Sequence, residues 1–332
     1  MKVVQLGKYH QAPELADVPD PRITSPLDVI VRIGGAGVCR TDLHVIEGQW
    51  AQKSGVGLPY TIGHENAGWV REIGSAVTNV APGDAVILHP LVTCGLCRAC
   101  RSGDDVHCEN SRFPGIDTDG GMADYLLTSA RSVVKLADGL EPAAVAALAD
   151  AGLTAYHAVR KAVPLLYPGR TVVVIGAGGL GHIGIQCLLA MTAARVVVID
   201  PSEKARELAT ELGAHEVVAD GTDLTDSADV VLDFVGEQGA ESLGLAMTRR
   251  AGSYYVIGYG GAVNIPTIDL ISTERNIIGN LVGSYNDLDE LMTLAALGKV
   301  TLHTRQYPLA AVNEAMDDLE AGRLQGRGIL VP

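Results

Sequence analysis

Hydrophobic and polar positions keep two different rhythms along this chain, and the change falls near residue 150. Before it, short stretches alternate apolar and polar positions between glycines and prolines: "DVIVRIGGAGV" (28–38), "NAGWVREIG" (66–74) and "PGDAVIL" (82–88). Alternation punctuated in this way predicts a small barrel or folded sheet. Beyond it the rhythm becomes strand, helix, strand. "TVVVIG" (171–176) leads into a helical run from Leu180 to Met191, "RVVVID" (195–200) follows, and a helix over 202–212 closes at Gly213. "DVVLDFVG" (229–236), "GSYYVIG" (252–258) and "NIIGNLVG" (276–283) read as further buried strands. Near-continuous apolar strands separated by helices predict a parallel sheet covered on both faces. From about 284, two amphipathic patterns (288–297 and 311–321) precede the ending "GRGILVP", a tail able to pack on either half.

The chain has 332 residues, enough for two domains with a core each. No apolar run nears the roughly 20 residues of a membrane span, and "MKVVQLGKYH" lacks the apolar core of a signal peptide. A cytoplasmic, reducing setting without a membrane partner is therefore expected. A net charge of −14 argues against a nucleic-acid partner and for a small molecule.

"VVVIGAGGLGHIG" carries Gly176-x-Gly178-x-x-Gly181, with Gly179 and Leu180 between, directly after a predicted strand and at the mouth of a helix. Such glycines allow a tight turn and close backbone approach to a pyrophosphate at the helix N-terminus. Asp200 ends the next strand, where an acid bonds the ribose hydroxyls. Its charge would repel a 2′-phosphate, so NAD is favoured over NADP. Lys204 and Arg206 lie nearby, on the following helix.

Four of the six cysteines crowd into residues 94–108: Cys94, Cys97, Cys100 and Cys108, spaced C-x2-C-x2-C-x7-C. In a reducing setting clustered cysteines are more often metal ligands than disulfides. Four thiolates close a tetrahedral zinc site and leave no position for substrate, so this lobe is a brace. An iron–sulfur cluster uses the same ligands, but no Pro follows the last Cys and the loop is polar (Arg98, Arg101, Asp104, Asp105). Of the other two, Cys187 sits in an apolar helical run as a small hydrophobe. Cys39 stands between "IGGAGV" and "RTDLH", where a ligand on a strand-end loop would lie.

"GAGVCRTDLH", "GHENAGWV", the four-cysteine lobe, "DAGLTAYHA" and "VIGAGGLG" follow in that order. Together they resemble the zinc-dependent alcohol dehydrogenases of the medium-chain dehydrogenase/reductase superfamily, and "DAGLTAYHAV" and "GRGILVP" resemble the bacterial secondary-alcohol members. The resemblance implies an α/β protein. A GroES-like β-rich catalytic domain would span 1–150 and 284–332, with the lobe at about 94–108. A Rossmann doubly wound parallel sheet would bind NAD over 151–283.

The resemblance further implies two zinc ions per chain, one structural and one catalytic. Cys39, His64 and Asp150 match the catalytic ligands, with Glu65 beside them as an occasional alternate and Asp42 orienting His64. Asp150 departs from the Cys that many members carry, though a thiolate, a carboxylate and a neutral imidazole still balance the charge of Zn²⁺. A helix N-cap is the other reading of Asp150. Thr41 matches the hydroxyl that bonds the substrate oxygen, and His44 the histidine that passes the alcohol's proton to the surface. Arg40 and Arg327 match pyrophosphate contacts, and Thr154 and Leu180 pack on nicotinamide. Strand ends at Ile257 and Val282 meet the carboxamide. Thr41, Trp50, Val92 and Leu281, with Phe113 and Tyr285, fall near the substrate.

The activity implied is reversible hydride transfer between a primary or secondary alcohol, its aldehyde or ketone, and NAD. The apolar slot suits alkyl or aryl carbinols better than polyols, whose hydroxyls need buried polar partners; a zinc-dependent dehydrogenase of a more polar alcohol is the alternative. A zinc-free quinone or enoyl reductase would lack the lobe and the Cys39, His64 and Asp150 set. A non-enzymatic zinc protein would need a blocked pocket or a basic face. The apolar "NIIGNLVG" near the predicted sheet edge points to a homodimer or homotetramer.

Overall fold

The computed structural model describes residues 1–332 and divides into two compact units. One contains Met1–Ala151, Ser284–Ala296 and Thr301–Pro332; the other contains Gly152–Gly283 and Leu297–Val300.

The spine of the first unit is the strand Asp28–Val38, which pairs antiparallel with Glu65–Ile73, Tyr125–Ser129 and Arg327–Val331. It belongs to a seven-stranded sheet. Thr304–Pro308 pairs with Arg327–Val331, Ala85–Leu88 extends the sheet beyond Glu65–Ile73, and Val133–Lys135 pairs with Ala85–Leu88. A smaller sheet joins Glu14–Asp17, Lys2–Leu6 and Tyr60–Thr61. The C-terminal tail thus supplies two strands to the first unit. Alternation does its expected work here: Val29, Val31 and Ile33 point into one core with Val4, Leu6, Ile62, Met122 and Leu330. Fully burying each such side chain contributes about 1.5–3 kcal/mol. Gly37 pairs with Glu65, and a Cβ there would sit 2.0 Å from Glu65 Oε2. The missing side chain makes room for a buried carboxylate.

The second unit holds a six-stranded parallel sheet in the order Glu216–Val218, Arg195–Ile199, Thr171–Ile175, Ala228–Asp233, Thr248–Val256, Asn276–Gly279. The chain starts in the middle and winds outward both ways, so connections diverge on either side of Thr171–Ile175. A crevice opens at the carboxyl ends of the strands at such a switch point, and ligands bind there. Val172, Val173, Val174 and Val196 are fully buried, as a sheet covered on both faces requires.

Three details differ from the sequence reading. The last strand covers only Asn276–Gly279, forms an edge and is half-exposed, because the chain leaves the sheet at Asn280 and turns left-handed at Val282 (φ +43°). The three-residue strand Glu216–Val218 is too short to announce itself by period, and the helix Thr267–Thr273 carries its apolar Ile268 and Ile271 outward instead of toward a core. No helix is long and apolar enough to cross a membrane.

Candidate catalytic, metal and nucleotide sites

Cys39 follows the strand Asp28–Val38 and precedes the short helix Arg40–Ile46. Asp42, fully buried in that helix, accepts the Cys39 N–H on Oδ2 at 2.8 Å and turns Oδ1 to within 3.2 Å of His64 Nδ1. One carboxylate therefore orients both the thiol-bearing backbone and the imidazole. His64 Nε2 lies 3.3 Å from Asp150 Oδ2, at the joint between the 3-10 turn Ala146–Ala149 and the helix Ala151–Ala162. Ligand atoms of Cys39, His64 and Glu65 all fall within 4.8 Å of one another.

The His64 ring is 1% exposed, yet neither nitrogen has a hydrogen-bond partner. Burial would lower its pKa, but the Asp42 charge and contacts to Asp150 and Cys39 lift it well above the ordinary value. A thiol, an imidazole and carboxylates buried together with orphaned ring nitrogens fit a divalent zinc ion; with Glu65 paired to Arg327, one thiolate and one carboxylate balance its charge. Phe113 meets the imidazole edge-on at 6.0 Å between centroids and walls one side with hydrocarbon.

Glu65 is fully buried and fastened twice: Oε1 accepts the Ala151 N–H at 3.0 Å, and Oε2 accepts from Arg327 Nη2. Burial raises the Glu65 pKa, opposed by the Arg327 charge. Arg327, only 3% exposed, is thus committed to Glu65, while its Nε lacks a partner. The sequence reading set both residues near the site but carried no signal of this pair, which spans 262 positions.

Thr41 and His44 are half-buried on the helix Arg40–Ile46, and Arg40 is exposed at its start. Trp50 packs against the first unit's core with Lys53 over its ring at 5.5 Å. Val92, half-buried, exchanges backbone hydrogen bonds with Arg112 at 2.8 and 2.9 Å.

In the lobe, the Cys94, Cys97, Cys100 and Cys108 sulfurs all lie within 4.8 Å of one another, and none forms a disulfide. Backbone amides aim at the sulfurs. Cys94 Sγ accepts from Leu96 and Cys97 at 3.4 Å each, and Cys108 Sγ accepts from Cys94 at 3.3 Å and Asn110 at 3.4 Å. Those amides pull the Cys94 pKa down to about 6, whereas burial pushes Cys100 up to about 12. Four clustered sulfurs, with N–H donors aimed at Cys94 and Cys108, fit one tetrahedral zinc.

In the second unit Gly176 turns left-handed (φ +86°), and a Cβ on Gly181 would lie 1.8 Å from Gly176 O. Only glycine fits this tight strand-to-helix turn. Gly178 faces open space, Gly179 and Leu180 are half-buried, and the helix Gly181–Met191 follows. Asp200, 8% exposed, accepts the Ala177 and Ser202 N–H groups at 2.8 Å each, which ties the acid to the glycine turn. Arg206 Nη1 donates to the carbonyls of Asp200 and Pro201 at 2.8 Å. A bare glycine turn, a helix N-terminus and an adjoining acid fit a dinucleotide. Thr154 accepts from Asn280 Nδ2 on its carbonyl at 3.2 Å. Ile257 and Val282 are buried just beyond two strand ends, and Leu281 is 53% exposed.

Comparison with known proteins agrees with this chemistry. Residues 25–138 match the alcohol dehydrogenase GroES-like domain, and residues 179–296 match the zinc-binding dehydrogenase family. The alcohol dehydrogenase of the hyperthermophilic archaeon Aeropyrum pernix superposes with a TM-score of 0.97 at 44% identity, covering 100% of both chains. A D-arabinose 1-dehydrogenase (NADP(+)) of Saccharolobus solfataricus is 36% identical over 100% of this chain and 97% of its own. An NAD-dependent alcohol dehydrogenase of Sulfurisphaera tokodaii is 35% identical over 100% of this chain and 99% of its own. The chain therefore belongs to the zinc-binding medium-chain alcohol dehydrogenases, oxidoreductases that act on alcohols with NAD(P).

Proposed function

We propose that the protein interconverts a primary or secondary alcohol with its aldehyde or ketone, using NAD. The observation that carries this is the buried His64 ring, turned by Asp42 toward Asp150 with Cys39 and Glu65 beside it. Bound zinc would polarise the alcohol oxygen as a Lewis acid and bound NAD would accept the hydride.

Each residue's part follows from its chemistry. Cys39, His64 and Asp150 hold the catalytic zinc; the Asp150 carboxylate faces the coordinating ring nitrogen, whereas both Glu65 oxygens already accept N–H bonds. Glu65 serves as an alternate ligand only when Arg327 releases it. Thr41 accepts the alcohol's proton in a hydrogen bond and relays it toward His44, one helical turn on and half-buried. Cys94, Cys97, Cys100 and Cys108 hold the structural zinc.

For the cofactor, Gly176, Gly178, Gly179 and Gly181 leave room for the pyrophosphate; Arg327, expected with Arg40 as one of its cations, is instead buried against Glu65. Leu180 and Thr154 pack on nicotinamide, and Ile257 and Val282 offer backbone groups to the carboxamide. Asp200 takes the ribose hydroxyls. Arg206 is drawn onto two carbonyls behind Asp200, which supports NAD over NADP. Trp50, Val92 and Phe113 are apolar side chains suited to alkyl or aryl carbinols. The relative named for D-arabinose keeps a more polar alcohol as the second reading. Elemental analysis combined with NAD-dependent absorbance on a panel from simple secondary alcohols to sugars tests both. Turnover of apolar carbinols with zinc present supports the first; turnover confined to sugars favours the second; no turnover with any alcohol overturns both.

A further inference from the structure

Three neighbouring strands of the parallel sheet end level with one another: Ile175 pairs with Asp233, and Asp233 with Val256. The glycine turn begins at the next residue, Gly176, and all the contacts around it named below lie inside the second unit. Asp233, at the middle end, is fully buried. Its Oδ1 accepts the Val235 and Gly236 N–H groups at 2.9 Å each, and its Oδ2 accepts the Tyr254 hydroxyl at 2.6 Å. Its carbonyl accepts from Ile257 at 3.0 Å and from Gly258 at 2.9 Å, which fastens the loop after the third strand. Carboxylate bonds to backbone amides are charge-assisted and strong, and a buried network of them fixes one geometry only while every member is in place.

The fold makes room for this arrangement. Tyr254 is fully buried, and a Cβ on Gly244 of the helix Ala240–Met247 would meet its ring at 2.5 Å. Gly236 is left-handed (φ +64°), and a Cβ there would lie 2.0 Å from Gly258 O. The two residues between Asp233 and Gly236 press against the glycine turn. A Cβ on Gly176 would meet Val235 Cγ2 at 2.7 Å, and one on Gly184 would meet Phe234 Cζ at 2.7 Å. The Phe234 N–H also donates to Ile175 O at 3.0 Å, at the last residue before the turn. The glycine turn therefore rests on Val235 and its helix on Phe234, and Asp233 sets both.

We infer that Asp233 is a positioning residue for the dinucleotide, acting through Val235 and Phe234, with the Tyr254 hydroxyl holding its carboxylate in place. Backbone N–H groups at a helix N-terminus bind phosphate well only when they are aimed in advance, and their aim depends on what packs against them. This rests on the reading of the protein as an NAD-binding enzyme.

The test is calorimetric titration of ADP-ribose, which carries the pyrophosphate and both riboses of NAD without the nicotinamide, into the zinc-loaded enzyme. Asp233→Ala should weaken binding about tenfold and raise the KM for NAD to match, with kcat at saturating NAD changed far less. Asp233→Asn still accepts the two amides on Oδ1 and should bind within about twofold of wild type. Val235 tests the route: in a Val235→Ala background, Asp233→Ala should cost less than about threefold. Tyr254→Phe keeps the ring and removes one donor, so it stands in if Asp233→Ala does not fold, and it should weaken ADP-ribose binding about threefold. An Asp233→Ala protein, or Tyr254→Phe in its place, that binds ADP-ribose like wild type and only melts earlier overturns the inference. So does an equal loss from Asp233→Ala with and without Val235→Ala. A wild-type protein that binds neither ADP-ribose nor NAD overturns the functional reading and the inference with it.

Discussion

His64 Nε2 faces Asp150 Oδ2 across 3.3 Å, while the opposite ring nitrogen faces Asp42. We propose that this carboxylate is a zinc ligand; a helix cap is the other reading.

The two readings part in the Asp150→Asn variant. Asn caps a helix about as well as Asp, so a cap leaves zinc content, stability and turnover near wild type. A ligand does not: the neutral amide binds zinc weakly, and kcat should fall by roughly a hundredfold or more. Chelator dialysis should remove one zinc much faster than from wild type. An Asn variant that retains two zincs and most of its kcat would move the third ligand to Glu65.

The lobe responds separately. Cys97→Ser should lower zinc from two ions to one and lower Tm, by about 2–4 °C for each kcal/mol lost. Cys39, His64 and Asp150 keep their own ion in that variant. Iron in place of zinc on elemental analysis, or an unchanged zinc count after the substitution, would sink the four-thiolate zinc site.

What the sequence revealed was whatever depends on spacing along it. The glycines at 176, 178 and 181 were legible because one turn requires them, and the four cysteines because one ion holds them. Asp28–Val38 was legible from end to end as an apolar, β-branched run, although it is buried almost throughout instead of at alternate positions. Contacts between distant positions left no such trace. Glu65 with Arg327 and Asp105 with Tyr285 are each an acid meeting a donor that the fold alone brings near. "NIIGNLVG" misled for a related reason: an apolar run reads as buried, whereas this one ends early on an exposed edge.

Asp200 sets the expected cofactor choice. Its oxygens fasten the Ala177 and Ser202 amides, so Asp200→Asn removes the charge and keeps one of the two acceptors. Wild type should show the higher kcat/KM with NAD, and the variant should lose that preference by about tenfold or more as repulsion of a 2′-phosphate is removed. A wild-type preference for NADP would contradict the ribose role of Asp200.

The half-exposed edge strand Asn276–Gly279 and the adjoining helix Thr267–Thr273, with Ile268 68% and Ile271 71% exposed, form an apolar margin to the sheet. Open edges of this kind are paired or covered in stable proteins. We predict a homodimer through this edge, or a tetramer built from such dimers. Light scattering at micromolar concentration should give at least twice the chain mass, and Ile271→Lys with Ile278→Lys should lower it. A wild-type monomer contradicts the prediction.

Asp318 should make the protein acid-sensitive in a way one substitution can expose. It sits on the helix Val312–Glu320, 5% exposed, and gathers three donors from the C-terminal segment. Tyr307 Oη donates to Oδ2 at 2.6 Å, Arg305 Nη1 to the same oxygen at 2.7 Å, and Arg323 Nε to Oδ1 at 2.6 Å. The Tyr307 hydrogen bond, followed by that of Arg323, holds the carboxyl below the usual carboxylate range. A depressed folded pKa stabilises the fold at pH values above the unfolded pKa of about 3.9, and that contribution is lost as pH falls toward the folded value. Asp318→Asn cannot ionise, so its Tm should be lower than wild type at pH 7, with the gap closing as both are taken toward pH 3. The segment concerned also carries Arg327, the partner of buried Glu65, so activity should fail along with Tm on the acid side. A gap in Tm that stays constant from neutral to acid pH would mean that the substituted amide disturbs packing, and that the ionised carboxylate of Asp318 contributes nothing of its own.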